Sequence, residues 1–277
     1  IVVALFGKNP LTTLVCFLQG SGALTKPEYA AHAGQLSDFM SMINALTPMI
    51  FAALAVAVAL KTGLFNIGVS GQMLAAGFIA SVVVGYSNLP MAAAIPLVLV
   101  LGVVVGGAVG ALIGFLKHRF NINEVVSSIM LNYILEYLIS FFINQYYINM
   151  VSRQSNPVSV ASRLTLMGVS VGDLRLDLPL GILLAVPTAF LMRFLLDRTR
   201  LGFELKVVGL NRRAAKYAGI NVGRSMVLSM LISGALAGLA GVTYYLGTFN
   251  SIQPRVLTSV GFDSIAVCLL GNSSPVG

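Results

Sequence analysis

Six stretches of this chain are each about 18 residues or longer and almost free of charge. They fall at about 39–60, 66–86, 91–116, 124–146, 179–196 and 226–246; a seventh begins near 263, and residues 1–6 read as the tail of an earlier one. About 20 apolar residues in a helix cover the hydrocarbon core of a bilayer. A large soluble core accounts for one or two such runs, not six. Charged residues make up 9% of the 277, against about 25% in an ordinary globular domain. Alternating ten-residue segments of the barrel type are absent. The fold class is therefore all-α, a polytopic transmembrane helical bundle forming one domain over 1–277. About eight spans are expected. The chain opens on Ile1 and stops at Gly277 just after SSPV, so it reads as a fragment trimmed at both ends.

The few charges are unevenly spread. Residues 197–225, DRTRLGFELKVVGLNRRAAKYAGINVGRS, hold nine of the 26, seven basic and two acidic. Loops of this kind stay on the cytoplasmic side. Counting spans from there puts Lys61 and the KHR of 117–119 on the same side. Eleven of the 17 basic residues then lie inside. The other six, Lys8, Lys26, Arg153, Arg163, Arg175 and Arg255, are spread over the longer outer connections 8–38, 147–178 and 247–262. Shifting one span would scramble this agreement. The net charge of +8 is thus topological, and nucleic acid is not an expected partner.

Glycines recur every four residues at Gly102, Gly106, Gly110 and Gly114, and again at Gly234 and Gly238. Small residues at this spacing let helix backbones approach closely in lipid. Three places break the apolar pattern. In KTGLFNIGVSGQ (61–72), Asn66, Ser70 and Gln72 interrupt the start of a span, with three glycines among them. That composition fits a broken helix beside a polar cavity or a turn between two spans. In 124–146, Glu124, Ser128, Asn132, Glu136, Ser140 and Asn144 follow one another every four residues as a slow spiral. Glu136 is about 18 Å in from the helix start. Placing it there costs about 2.5–3.5 kcal/mol on the insertion scale, so it faces a water-filled path or a neighbouring helix. Glu124, beside Asn123, reads as a cap and dipole partner.

The third place is the charged loop. Asn211 suits an N-cap and Gly219 a C′ position, framing a two-turn helix RRAAKYA over 212–218. Ala214, Ala215 and Ala218 form a small smooth side, suited to docking in a groove of another protein; a solvated connector is the alternative. Enzymatic signatures are missing: no HExxH, no P-loop, no GxSxG, and His32 and His118 fall on opposite sides of the membrane. Cys16 and Cys268 lack CxxC spacing and read as small hydrophobes. No cofactor or metal is expected.

Five ordered blocks carry a resemblance: TGLFNIGVSGQ (62–72), NEVVSSIMLNYI (123–134), RTRLGFELKVVGLNRRAAKYAGI (198–220), SGALAGLAG (233–241) and GFDSIAVCLLGNSSPVG (261–277). From about residue 40 onward the chain resembles membrane permease subunits of bacterial ABC importers of the ribose and branched-chain amino-acid type. It is most similar to nucleoside importer permeases that work with basic-membrane-protein-type lipoprotein receptors. FNIGVSGQ at 65–72 discriminates best. Many nucleoside permeases carry an acid where this chain has Ser70, which puts a charge-based role there in doubt.

The resemblance implies an importer half in the bacterial cytoplasmic membrane. Its expected partners are a second permease subunit, a cytoplasmic ABC ATPase and an external substrate-binding lipoprotein. RRAAKYAGI then corresponds to a coupling helix, assigning ATPase contact to Asn211, Arg212, Arg213, Ala214, Ala215, Lys216 and Gly219. Asn66, Gln72, Asn132 and Glu136 are the candidate pathway residues. A nucleoside or related ribose-containing solute is the expected cargo; a free monosaccharide, or an ion-driven secondary transporter, is the alternative.

Overall fold

The computed structural model describes residues 7, 9–26, 34–171 and 174–276, with no account of side chains at 10 and 167–178. The span remnant at 1–6, Lys8 and His32 fall outside these residues. The order is α1 (Pro10–Gly20), α2 (Gln35–Lys61), α3 (Val69–Ala80), α4 (Met91–Phe120), α5 (Glu124–Phe142), β1 (Thr165–Val171), β2 (Leu174–Pro179), α6 (Ile182–Arg198), α7 (Arg200–Leu210), α8 (Arg212–Tyr217), α9 (Val222–Val242) and α10 (Val260–Leu270). Wider π turns extend α3 to Gly85, α5 to Tyr147 and α9 to Thr248. Among the described residues four helices of 24–30 residues, α2, α4, α5 and α9 with their extensions, are long and apolar enough to cross a membrane. The shorter α3, α6 and α10 pack among them.

The apolar runs became helices where they were expected, because their residues favour helix and lipid leaves no other way to pair the backbone. Two elements differ from the sequence reading. Residues 200–210, read as loop, form α7, capped by Thr199 Oγ1, which accepts from Gly202 N at 3.2 Å. Within 147–178, β1 and β2 pair as an antiparallel hairpin.

Residues from Phe51 to Ala59 on α2 are buried almost all round, and α9 is buried along most of its length. Around this centre, α4 and α5 turn large apolar residues outward, among them Val100, Val104, Met130, Tyr133, Tyr137 and Phe141. The tightest pairing is α4 against α9. A Cβ on Gly106 would run into Gly234 O and the Gly238 backbone, and one on Gly110 into Met230 O and Gly234. The two glycine rows face each other, as small-xxx-small stripes do.

Candidate functional site

α2 stops at Lys61 because Gly63 takes a φ of +66°, with Gly63 N and Leu64 N bonding back to Leu60 O and Ala59 O. This is a glycine-terminated helix end. Residues 64–67 then run without regular structure before α3 begins at Val69. Backbone of this kind inside a bundle must be satisfied by protein or water, and here protein does it. Asn66 Nδ2 donates to Ser233 Oγ at 2.8 Å and to Gln72 Oε1 at 3.0 Å, while Asn66 Oδ1 accepts from Gly68 N at 2.9 Å. Asn132 on α5 completes the lock. Its Oδ1 accepts from Gly71 N and its Nδ2 donates to Ile67 O, both at 3.0 Å. Thr62 Oγ1 donates to Ser229 Oγ at 2.7 Å, tying the break to α9 as well.

The structure thus brings Asn66, Gln72 and Asn132 into one buried network at the break between two spans. All three are 0–3% exposed. Their polar atoms are turned to one another and to backbone, which makes them the clamps of the break rather than an open lining. Glu136 stands apart. It is half-buried on α5, two turns of the spiral beyond Ser128, with no hydrogen bond or ion pair among the described residues. The stripe around it faces inward: Ser128 and Ser140 are buried, and Ser140 Oγ accepts from Arg255 N at 2.7 Å. Glu136 therefore lies between the clamp on the break and the anchor of a second non-helical stretch. That stretch, 249–259, belongs to the connection 247–262 that the sequence places outside. It threads back along the bundle instead, with Ser70 Oγ donating to Thr258 O at 2.9 Å at the head of α3.

One end of the bundle gathers the basic segment. Gly209 of α7 packs against the backbone of Lys61 and Thr62, and Gly223 against the His118 ring. Lys117 pairs with Glu124 at 3.0 Å across the α4–α5 turn, a clamp that the capping reading of Glu124 missed; the cap is Asn123, whose Oδ1 accepts from Val125 N. Lys206 Nζ donates to Asp197 Oδ1 at 2.6 Å and holds that carboxyl below its ordinary range. The other end joins the connections placed outside. Ser155 N donates to Ile252 O, Val158 N to Asn250 O and Ser159 N to Gly85 O. The two-sided sorting of loops by charge is reproduced in space.

α8 has the frame expected of it. Asn211 Oδ1 accepts from Arg213 N and Ala214 N at 2.9 and 3.1 Å, and Gly219 closes the helix at φ +76°. One residue of its smooth side is placed differently. Ala215 is fully buried, in the apolar cluster that also holds Leu64, Val208 and Met226, so it faces inward and not toward a partner. The outward surface carries Arg213, Ala214, Lys216 and Tyr217, next to an 88% exposed Leu210. Arg212 does something the sequence did not disclose. Its Nη2 donates to Gly63 O at 3.1 Å, so α8 grips the carbonyl at which α2 breaks.

An apolar bundle with its polar side chains turned inward, a broken span locked by amides, and a basic helical pair at one end is a multi-pass membrane bundle, and its sequence family makes it a permease. The chain belongs to the family described as the permease component of branched-chain amino acid transport systems, whose model matches residues 39–277. It is 41% identical over 246 residues to the guanosine ABC transporter permease protein NupP of Bacillus subtilis, covering 88% of this chain and 70% of that one. It is 34% identical over 252 residues to the nucleoside ABC transporter permease protein NupB of Lactococcus lactis, covering 88% and 69%. A glucose ABC transporter permease protein of Haloferax volcanii is 31% identical over 236 residues, covering 83% and 62%. No solved structure matches.

Proposed function

We propose that this chain carries a nucleoside, or a related ribose-containing solute, inward by alternating access, using ATP hydrolysed on a separate cytoplasmic subunit. The observation that carries the cargo is the 41% identity to a guanosine permease over 88% of the chain. The glucose permease at 31% identity keeps a monosaccharide as the second reading. Family membership sets aside the ion-driven carrier.

The geometry supplies a route for coupling. An ATPase seated on the outward surface of α8, at Arg213, Ala214 and Tyr217, would move α8 as a unit. Arg212 passes that movement to Gly63 O, 3.1 Å away, and so to the break. Asn66, Gln72 and Asn132 hold the break in this state; exchanging the bonds between Asn66 and Gln72 for bonds to cargo hydroxyls and amides, while Asn132 still clamps the backbone, gives the second state. Glu136, half-buried and without a protein partner among the described residues, sits beside that exchange. Bonds traded one for one keep binding weak, as release requires.

Proteoliposomes holding this chain with its second permease subunit, ATPase and external receptor provide the test. Labelled nucleoside should accumulate when ATP reaches the ATPase side, and excess nucleoside should compete while glucose should not. Glucose competing in place of nucleoside would move the cargo to the second reading.

A further inference from the structure

Near the outer end of the bundle, the π turn closing α9, the 147–164 connection and the stretch 249–258 enclose a cavity of about 150 Å³. Three aromatic rings meet there. Tyr244 and Phe249 have centroids 4.7 Å apart, and Tyr244 meets Tyr245 edge-on at 5.0 Å. Phe249 and Tyr244 keep exposed area, whereas Tyr245 is 5% exposed. A tyrosine buried to that degree normally has a partner for its hydroxyl. Tyr245 has none among the described residues, although it lines the cavity.

The opposite wall is polar. Gln154 Oε1 accepts from Ser251 Oγ at 2.7 Å, which leaves its amide N–H groups open. Gln253 is exposed, and both ends of its amide are open among the described residues. Thr258 Oγ1 accepts from Val260 N at 3.3 Å and keeps its own proton to donate. Tyr244 and Phe249 set their rings at 42° to one another, so a nucleobase lies with its face on one ring while the amides opposite meet its edge of paired donor and acceptor. A sugar also lays its C–H face on an aromatic ring, but it has no planar edge of paired donor and acceptor for the two amides to read. A site of 150 Å³ is below the range of about 300–1,000 Å³ that encloses a whole small molecule, so it takes one ring system.

We infer that this cavity is an entry site for the base of the transported nucleoside, stacked on the exposed Phe249 ring beside Tyr244 and read by Gln154, Gln253 and Tyr245, with the ribose left at the mouth. The inference rests on the nucleoside reading above. It also joins entry to the break, because Thr258, on the cavity wall, accepts from Ser70 at the head of α3.

The assay uses the full complex in proteoliposomes, with purine nucleoside, pyrimidine nucleoside and free ribose as probes, and saturation-transfer NMR of the same complex in nanodiscs without receptor. Wild type should saturate base protons more strongly than ribose protons. Phe249→Leu and Gln253→Leu should each lower nucleoside uptake about tenfold, within the range that loss of a base–aromatic stack and of an amide–base hydrogen-bond pair gives. Phe249→Tyr should restore uptake, and monodisperse elution should be unchanged throughout. Wild-type uptake in both Leu variants, or ribose protons saturated as strongly as base protons, would overturn the base site while leaving nucleoside transport standing. A wild-type complex that moves ribose and no nucleoside would instead overturn the functional reading itself.

Discussion

Among single residues, Asn132 does the most work for its size. One amide satisfies a carbonyl in the non-helical stretch and an N–H in the first turn of α3, and neither has an intrahelical alternative. Leaving a buried polar group unpaired costs about 1–3 kcal/mol. Asn132→Leu is therefore expected to lower the melting temperature of the purified protein and to abolish uptake together. Uptake lost at an unchanged melting temperature would make Asn132 a cargo contact and not a clamp. The polar residues themselves were legible in the sequence, since an amide in a span is costly and so has a task. Their division of labour was not. Spacing in a sequence cannot show that Asn66 and Gln72 bond to each other, because the break that brings them together depends on Gly63 and on α9.

At the scale of elements, the seven apolar runs stood out because length and apolar composition are what a bilayer demands, yet among the described residues only four of them fold into helices long enough to cross one. α7 did not stand out. Its charges resemble those of a solvated loop, and its helix depends on Gly202 and Gly209 fitting closely against Leu196 and Lys61 of other helices. The stretch 249–259 was hidden for a related reason: it is held by Ser140 and Ser70 from distant elements. In α8, capping residues marked both ends, but three alanines carry no hydrophobic contrast to say which side is buried. The structure separates them, and the two neighbours Ala214 and Ala215 should respond differently. Ala215→Glu puts a charge into a fully buried site and should reduce folded yield and melting temperature. Ala214→Glu should fold normally and fail to retain the ATPase on co-purification. Retention of the ATPase by a well-folded Ala214→Glu protein would take α8 off that interface.

Over the whole molecule, the arrangement is a line of contacts from one membrane face to the other. α8 holds the end of α2 through Arg212, the break is clamped to α9 and α5, and Ser70 ties α3 to the stretch that returns from the outer end. The charge-derived orientation puts the proposed ATPase seat on α8 and the outer cavity at opposite ends of this line. Arg212 is exposed, so its value to stability is small; its place in the line is what distinguishes it from Arg213, which has no such bond to the break. The direct measurement is ATP hydrolysis and nucleoside uptake in the same vesicles carrying Arg212→Ala, with Arg213→Ala alongside. Arg212→Ala should keep receptor-stimulated hydrolysis while uptake falls at least tenfold, and Arg213→Ala should leave both near wild type. Uptake and hydrolysis that stay in wild-type proportion in Arg212→Ala would contradict a route through Gly63.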